Sequence, residues 1–109
     1  MPIVNIKALS INEAYRNKKK KTVKYLKYTK DMSLILPVYQ VPENCDLRAI
    51  YELGVSSNAS DVDNMIKPLQ DQLQKKYGFN DNRIVEFTAR KVKVKKGFEF
   101  IKFEITSNE

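Results

Sequence analysis

Two stretches of unlike periodicity, separated by one short polar loop, do most to limit what this 109-residue chain can become. From Asp46 to Gly54, Leu47, Ala49, Tyr51 and Leu53 share one parity, with Arg48, Ile50 and Glu52 on the other, the alternation of a strand. After Ser56-Ser57-Asn58-Ala59-Ser60, the residues Met65, Ile66, Leu69, Leu73 and Tyr77 recur at the helical spacing of about 3.6 residues. The helix they define runs to about Lys76, and Gly78 stands where a helix end favours glycine. A strand with one apolar face followed by a helix with one apolar stripe implies that the two layers pack on each other.

The flanking chain extends this pattern. Ile3 to Leu9 alternates in part and reads as a short first strand, which Ser10-Ile11-Asn12-Glu13 interrupts. The run Arg16-Asn17-Lys18-Lys19-Lys20-Lys21 reads as a basic loop. Val23, Leu26, Met32, Ile35 and Leu36, with Tyr25 and Tyr28, predict a helix over 22–35, closed by Pro37. Beyond the turn Asn80-Asp81-Asn82, Ile84 to Val94 reads as a strand. Its apolar parity changes between Ala89 and Val92, so a bulge is expected there. Lys95-Lys96-Gly97 makes a hairpin turn into a return strand carrying Phe98, Phe100, Ile101, Phe103 and Ile105. The order strand, helix, strand, helix, strand, strand is an α+β fold: one domain, two helices packed on a mixed sheet.

Charge narrows the function. Twenty Lys and Arg against thirteen Asp and Glu give a net charge of +7. So basic a domain suits a polyanionic partner, because each neutralised phosphate releases condensed counterions; a solvated surface that keeps the protein soluble is the plainer explanation. The chain has no histidine, which removes the commonest general base, every Ser-His triad and the His-containing zinc sites. Catalysis would fall to carboxylates and lysines. Cys45 is the only cysteine, which leaves no internal disulfide and suits a reducing cytoplasm. No stretch approaches the length needed to span a bilayer, and no secretion signal is expected at the N-terminus.

Three acids stand where folding gains little from them. Asp61 and Asp63 flank Val62 at the helix entry, and Asp81 follows the helix. In extended chain positions 61 and 63 point the same way, and paired hard oxygens suit Mg²⁺. Capping accounts for Asp63 alone, and Asp81 between two Asn residues is an ordinary turn residue. A second acid beside the cap gains nothing comparable, and two adjacent carboxylates repel unless a cation joins them. Whether Asp81 closes back on the other two is a tertiary question. Lys67, four residues after Asp63, shares its helix face and could offset charge on a scissile phosphate. As an ordinary surface ion pair it would contribute only about 0.3–0.5 kcal/mol. Pro68 leaves the Asn64 carbonyl without its usual helical partner.

The run Asp61-Val62-Asp63-Asn64-Met65-Ile66-Lys67-Pro68-Leu69-Gln70-Asp71-Gln72-Leu73, followed by Asn80-Asp81-Asn82-Arg83-Ile84, resembles the signature of the RusA-like Holliday junction resolvases. That signature is D-x-D-N-x-x-K-x-L-x-D-x-L, then an acidic pair before an apolar strand. Ser10-Ile11-Asn12-Glu13-Ala14-Tyr15 is similar to the family's N-terminal S-x-N motif, and in element order the resemblance covers about residues 3 to 105. It implies a homodimeric, Mg²⁺-dependent endonuclease that cuts four-way DNA junctions. Asp61, Asp63 and Asp81 match the family's three essential acids, and Lys67 matches its catalytic lysine. Two departures stand out: Asn80 replaces the first acid of the second motif, and Ser56 to Ser60 replace basic residues before D-x-D. DNA contacts are therefore expected from Asn12, Arg16, Lys18, Lys19, Lys20 and Lys21, and from Lys93, Lys95 and Lys96. A basic nucleic-acid-binding module without catalysis, or a family member that binds junctions without cutting them, remains the alternative. The apolar surface of a dimer would come from the Phe98 to Ile105 strand or from the tyrosine-bearing helix.

Overall fold

Leu47, Ala49, Tyr51 and Leu53, the four residues of one parity, are almost completely buried, and the strand they belong to, β4 (Leu47–Val55), lies in the middle of the sheet. The structure, a computed structural model, describes residues 1–16, 20–57 and 61–108. Lys18, Lys19 and the side chain of Arg16 lie outside that description. The remaining strands are β1 (Ile3–Val4), β2 (Tyr15–Arg16), β3 (Lys20–Lys21), β5 (Ile84–Lys93) and β6 (Phe100–Ser107). The helices are α1 (Ile11–Ala14), α2 (Val23–Ile35) and α3 (Val62–Tyr77). Strands β1, β6, β4 and β5 form a four-stranded mixed sheet in that order, with β4 antiparallel to β6 and parallel to β5. The connection between the parallel pair contains α3, as a parallel pair requires a crossover.

This is the α+β domain expected, with the helices over one sheet face. Ile101, Phe103 and Ile105 of β6 join the β4 residues on that face, against Met65, Ile66, Leu69 and Leu73 of α3 and Tyr25, Tyr28 and Met32 of α2. Each full burial of such an aliphatic or aromatic side chain stabilises by roughly 1.5–3 kcal/mol. Between the two helices the buried Gln72 donates from Nε2 to Thr29 Oγ1 at 3.0 Å, which satisfies a polar group that burial would otherwise penalise. Pro68 is fully buried on the same side of α3, so its ring adds to the core where its missing N–H costs a helical bond. Gly78 takes the left-handed conformation (φ 72°) and its N–H bonds Gln74 O at 2.9 Å. Among the described residues, no helix is long and apolar enough to cross a membrane.

Five expectations need correction. Lys95-Lys96-Gly97 does not close a hairpin: β5 and β6 do not pair with each other, because β4 lies between them in the sheet. The first strand covers only Ile3–Val4, not Ile3 to Leu9. A third helix, α1, forms where a break was expected, because Ser10 and Glu13 make a capping box: Glu13 N donates to Ser10 Oγ, and the Glu13 carboxylate accepts from Ser10 N. The described ends of the basic run are not plain loop but paired strands, Tyr15 with Lys21 and Arg16 with Lys20. The irregularity in β5 falls at its start, where Leu47 pairs with Ile84 and Arg48 with Glu86, and the register then runs unbroken to Val55 and Lys93. No bulge occurs at Val92, which keeps the register by pairing with Gly54; the Phe100 ring covers that glycine on the outer sheet face.

Both apolar surfaces considered for a dimer are largely occupied within this chain. Strand β6 is paired on both sides, by β1 and β4, and Tyr25, Tyr28 and Met32 of α2 are core. The outer face of α2 differs: Val23 is 82% exposed and Leu34 75%, with Leu26 between them also exposed.

Candidate active site

Helix α3 positions the first acids. Asp61 occupies the N-cap with extended backbone (φ −74°, ψ 149°), yet its side chain makes no cap hydrogen bond. Asp63 lies in the first turn, two residues past the cap position expected of it. Capping therefore does not consume either carboxylate, although both gain from the positive end of the helix dipole.

Asp81 does close back onto α3. After the left-handed Gly78, Phe79 is buried and the chain reverses into a single 3₁₀ turn, Asp81–Arg83, which Asn80 caps by accepting from Asn82 N at 3.0 Å. The Asp81 N–H donates to Gln74 Oε1 at 3.0 Å, and Lys67 Nζ lies 3.3 Å from Asp81 Oδ2. Arg83 fixes the far side of the turn: Nη2 donates to the carbonyls of Pro42 at 2.6 Å and Cys45 at 2.9 Å, and Nε to Cys45 O at 3.1 Å. An arginine fork on two backbone carbonyls is a rigid anchor. The sequence reading gave Arg83 no role of its own; its partners, across a loop, carry no local signal.

Lys67 is the hub. It pairs with Asp71 Oδ1 at 3.0 Å as well as with Asp81. The Asp71 hydrogen bond, opposed by partial burial and reinforced by the charges of Asp71 and Asp81, raises its pKa above the ordinary lysine value and keeps it an ammonium. Tyr51 completes the floor. Its hydroxyl donates to Gln70 Oε1 at 2.9 Å, and burial, then the charge of Asp81, raises its pKa and keeps it a neutral donor.

The structure thus joins Lys67 to Asp81 and places Asp61 at the cap and Asp63 on the first turn of the same helix. Among the described residues, no group of three or more His, Cys, Asp or Glu side chains converges as a ready metal centre. The donor set suits a hard cation in kind, being oxygen only, and Mg²⁺ needs only one or two carboxylates beside its waters.

The expected DNA contacts fall into two groups. Asn12, Lys20 and Lys21 line one cleft of about 530 Å³ with Glu13, Thr22 and Lys24. Asn12 also borders a recess of about 320 Å³ shared with Lys7, Ser10, Ser56 and Met65. Lys93 pairs with Val55, at the end of β4 that leads to Asp61, and the exposed Lys95 and Lys96 follow it. Ser56 Oγ donates to the Glu99 carboxylate, which ties the loop after β4 to the turn that carries these lysines. Compared with protein-family models and with curated proteins, the sequence matches none.

Proposed function

We propose that this protein is a RusA-like, Mg²⁺-dependent endonuclease that resolves four-way DNA junctions. The observation that carries the reading is the Lys67–Asp81 contact, which brings the lysine of the first motif to the acid of the second across fourteen residues of chain. Two carboxylates not used for capping and a held ammonium suit phosphodiester hydrolysis, and the +7 charge suits a polyanionic substrate.

Asp61, Asp63 and Asp81 are the acids from which the cation would take one or two ligands beside its waters. When bound, Mg²⁺ supplies Lewis acidity and a water of lowered pKa. The Lys67 ammonium offsets the negative charge that grows on the phosphate, at a position fixed before substrate arrives. Lys93, Lys95 and Lys96, with Asn12, Lys20 and Lys21, hold the phosphate backbone. A junction has two equivalent strands to cut and each chain has one set of these acids, so the working unit is a symmetric homodimer. The exposed Val23, Leu26 and Leu34 face of α2 offers it an apolar surface.

The test is incubation of an end-labelled four-way junction with and without Mg²⁺. Paired, symmetric nicks that need the metal are expected. Tight binding with no cutting at any Mg²⁺ concentration would replace this reading with that of a nucleic-acid-binding module.

A further inference from the structure

Asp71 is a helix acid to which no role has been given. Both of its oxygens are committed within the chain: Oδ1 to Lys67 Nζ at 3.0 Å, and Oδ2 to the Tyr15 hydroxyl, which donates at 3.1 Å. That leaves it unsuited to metal binding and suited to holding a cation. Its side chain is 17% exposed against 53% for Lys67, so the carboxylate is the fixed partner and the ammonium the reaching one.

Helix stabilisation does not explain the pair. A lysine placed four residues before an acid is the less favourable order along a helix, and such surface pairs contribute little. The Tyr15 tether is harder still to dismiss, because it comes from β2, 56 residues away in sequence. Tyr15 is held in turn: its ring packs on buried Tyr25 with centroids 5.6 Å apart, and its strand pairs with Lys21. Burial, then the charge of Asp71, raises the Tyr15 hydroxyl to about 12, so it remains a donor.

We propose that Asp71, tethered by Tyr15, is the positioning residue that holds the Lys67 ammonium against Asp81 in readiness for a phosphate. A lysine has four rotatable side-chain bonds, and an unheld one would have to be ordered during each turnover. The role in cutting rests on the function proposed above, whereas the hold on Lys67 does not.

The experiment uses the full chain with Asp71→Asn, Asp71→Glu, Tyr15→Phe and Lys67→Met, and reads two things. Without metal or DNA, NMR of the lysine ammonium groups should show Lys67 slowed in exchange in the wild type and exchanging freely in Asp71→Asn. With Mg²⁺ and junction, single-turnover cutting should fall about tenfold to a hundredfold in Asp71→Asn. Metal-free junction affinity should stay within about twofold of wild type. Tyr15→Phe should show a smaller loss, and Asp71→Glu should recover part of it. The Lys67→Met, Asp71→Asn double variant should cut no more slowly than Lys67→Met alone, because residues acting through one group are not additive. Should Asp71→Asn fail to fold, Tyr15→Phe carries the same test. Unchanged Lys67 exchange, or additive losses in the double variant, would overturn the proposal. If the wild type does not cut, the proposed function falls, and the NMR reading decides the hold by itself.

Discussion

Lys67 Nζ lies 3.3 Å from Asp81 Oδ2, so the ammonium occupies one oxygen of a carboxylate proposed to bind the cation. Lysine and metal then compete for Asp81. Lys67→Met should tighten Mg²⁺ binding measured by calorimetry without DNA, while cutting falls by about a hundredfold or more as a preorganised charge is lost. Weaker Mg²⁺ binding in the variant would show that Asp81 is not shared.

Asp63 stands in the first turn of α3 with its carboxylate not engaged in capping. Asp63→Asn keeps the shape and removes the charge. Mg²⁺-dependent cutting should be abolished while junction binding persists or tightens, since repulsion of the phosphate is reduced. Cutting at the wild-type rate would remove Asp63 from the site; the same substitution at Asp61 and at Asp81 checks the other two positions.

Binding to branched DNA should weaken steeply with salt. A surface that touches about six phosphates through residues such as Lys20, Lys21, Lys93, Lys95 and Lys96 gives a slope of about −5 in log K against log salt. A flat response would assign the +7 charge to solubility alone.

Gly54 lies beneath the Phe100 ring, and a Cβ there would collide with it. Gly54→Ala should destabilise by about 1–3 kcal/mol through overpacking, read from the denaturant midpoint. Adding Phe100→Ala should recover part of that loss. A neutral Gly54→Ala would mean that the ring moves aside at no cost.

Stability should fall at alkaline pH. Burial, ahead of the nearby charges, raises Tyr15 and Tyr77 to about 12, and it raises Tyr28 and Tyr51 as well. Raised folded values mean that the unfolded chain gives up these phenolic protons first, from about pH 10. Their contribution is therefore complete below about pH 10 and is lost as pH rises towards 12. Tm followed together with tyrosinate absorbance should show the two changes coinciding. Phenols that all ionise near pH 10 with no change in Tm would contradict this.

The sequence by itself determined the elements with strong local periods. The alternation from Leu47 to Leu53 is β4, and the spacing of Met65, Ile66, Leu69 and Leu73 with Gly78 beyond it is α3, because periodicity and a left-handed glycine are properties of neighbouring residues. The acids at the entry of α3 and the positive charge were legible in the same way. The Ser10–Glu13 capping box is a local pattern of the same kind. Only the tertiary structure decided the rest. Val23 and Leu26 fit the helical period of α2 yet face outward, because the period marks a stripe and packing chooses which stripe is buried. The return of Asp81 to Lys67 depends on the left-handed turn at Gly78, the burial of Phe79 and the Arg83 anchor on Pro42 and Cys45, 41 and 38 residues away. Asp71 resembles a surface ion-pair partner until Tyr15 arrives from 56 residues away. A hydrogen bond between distant segments leaves no period, cap or turn in the residues on either side of it, so the chain must fold before it can be seen.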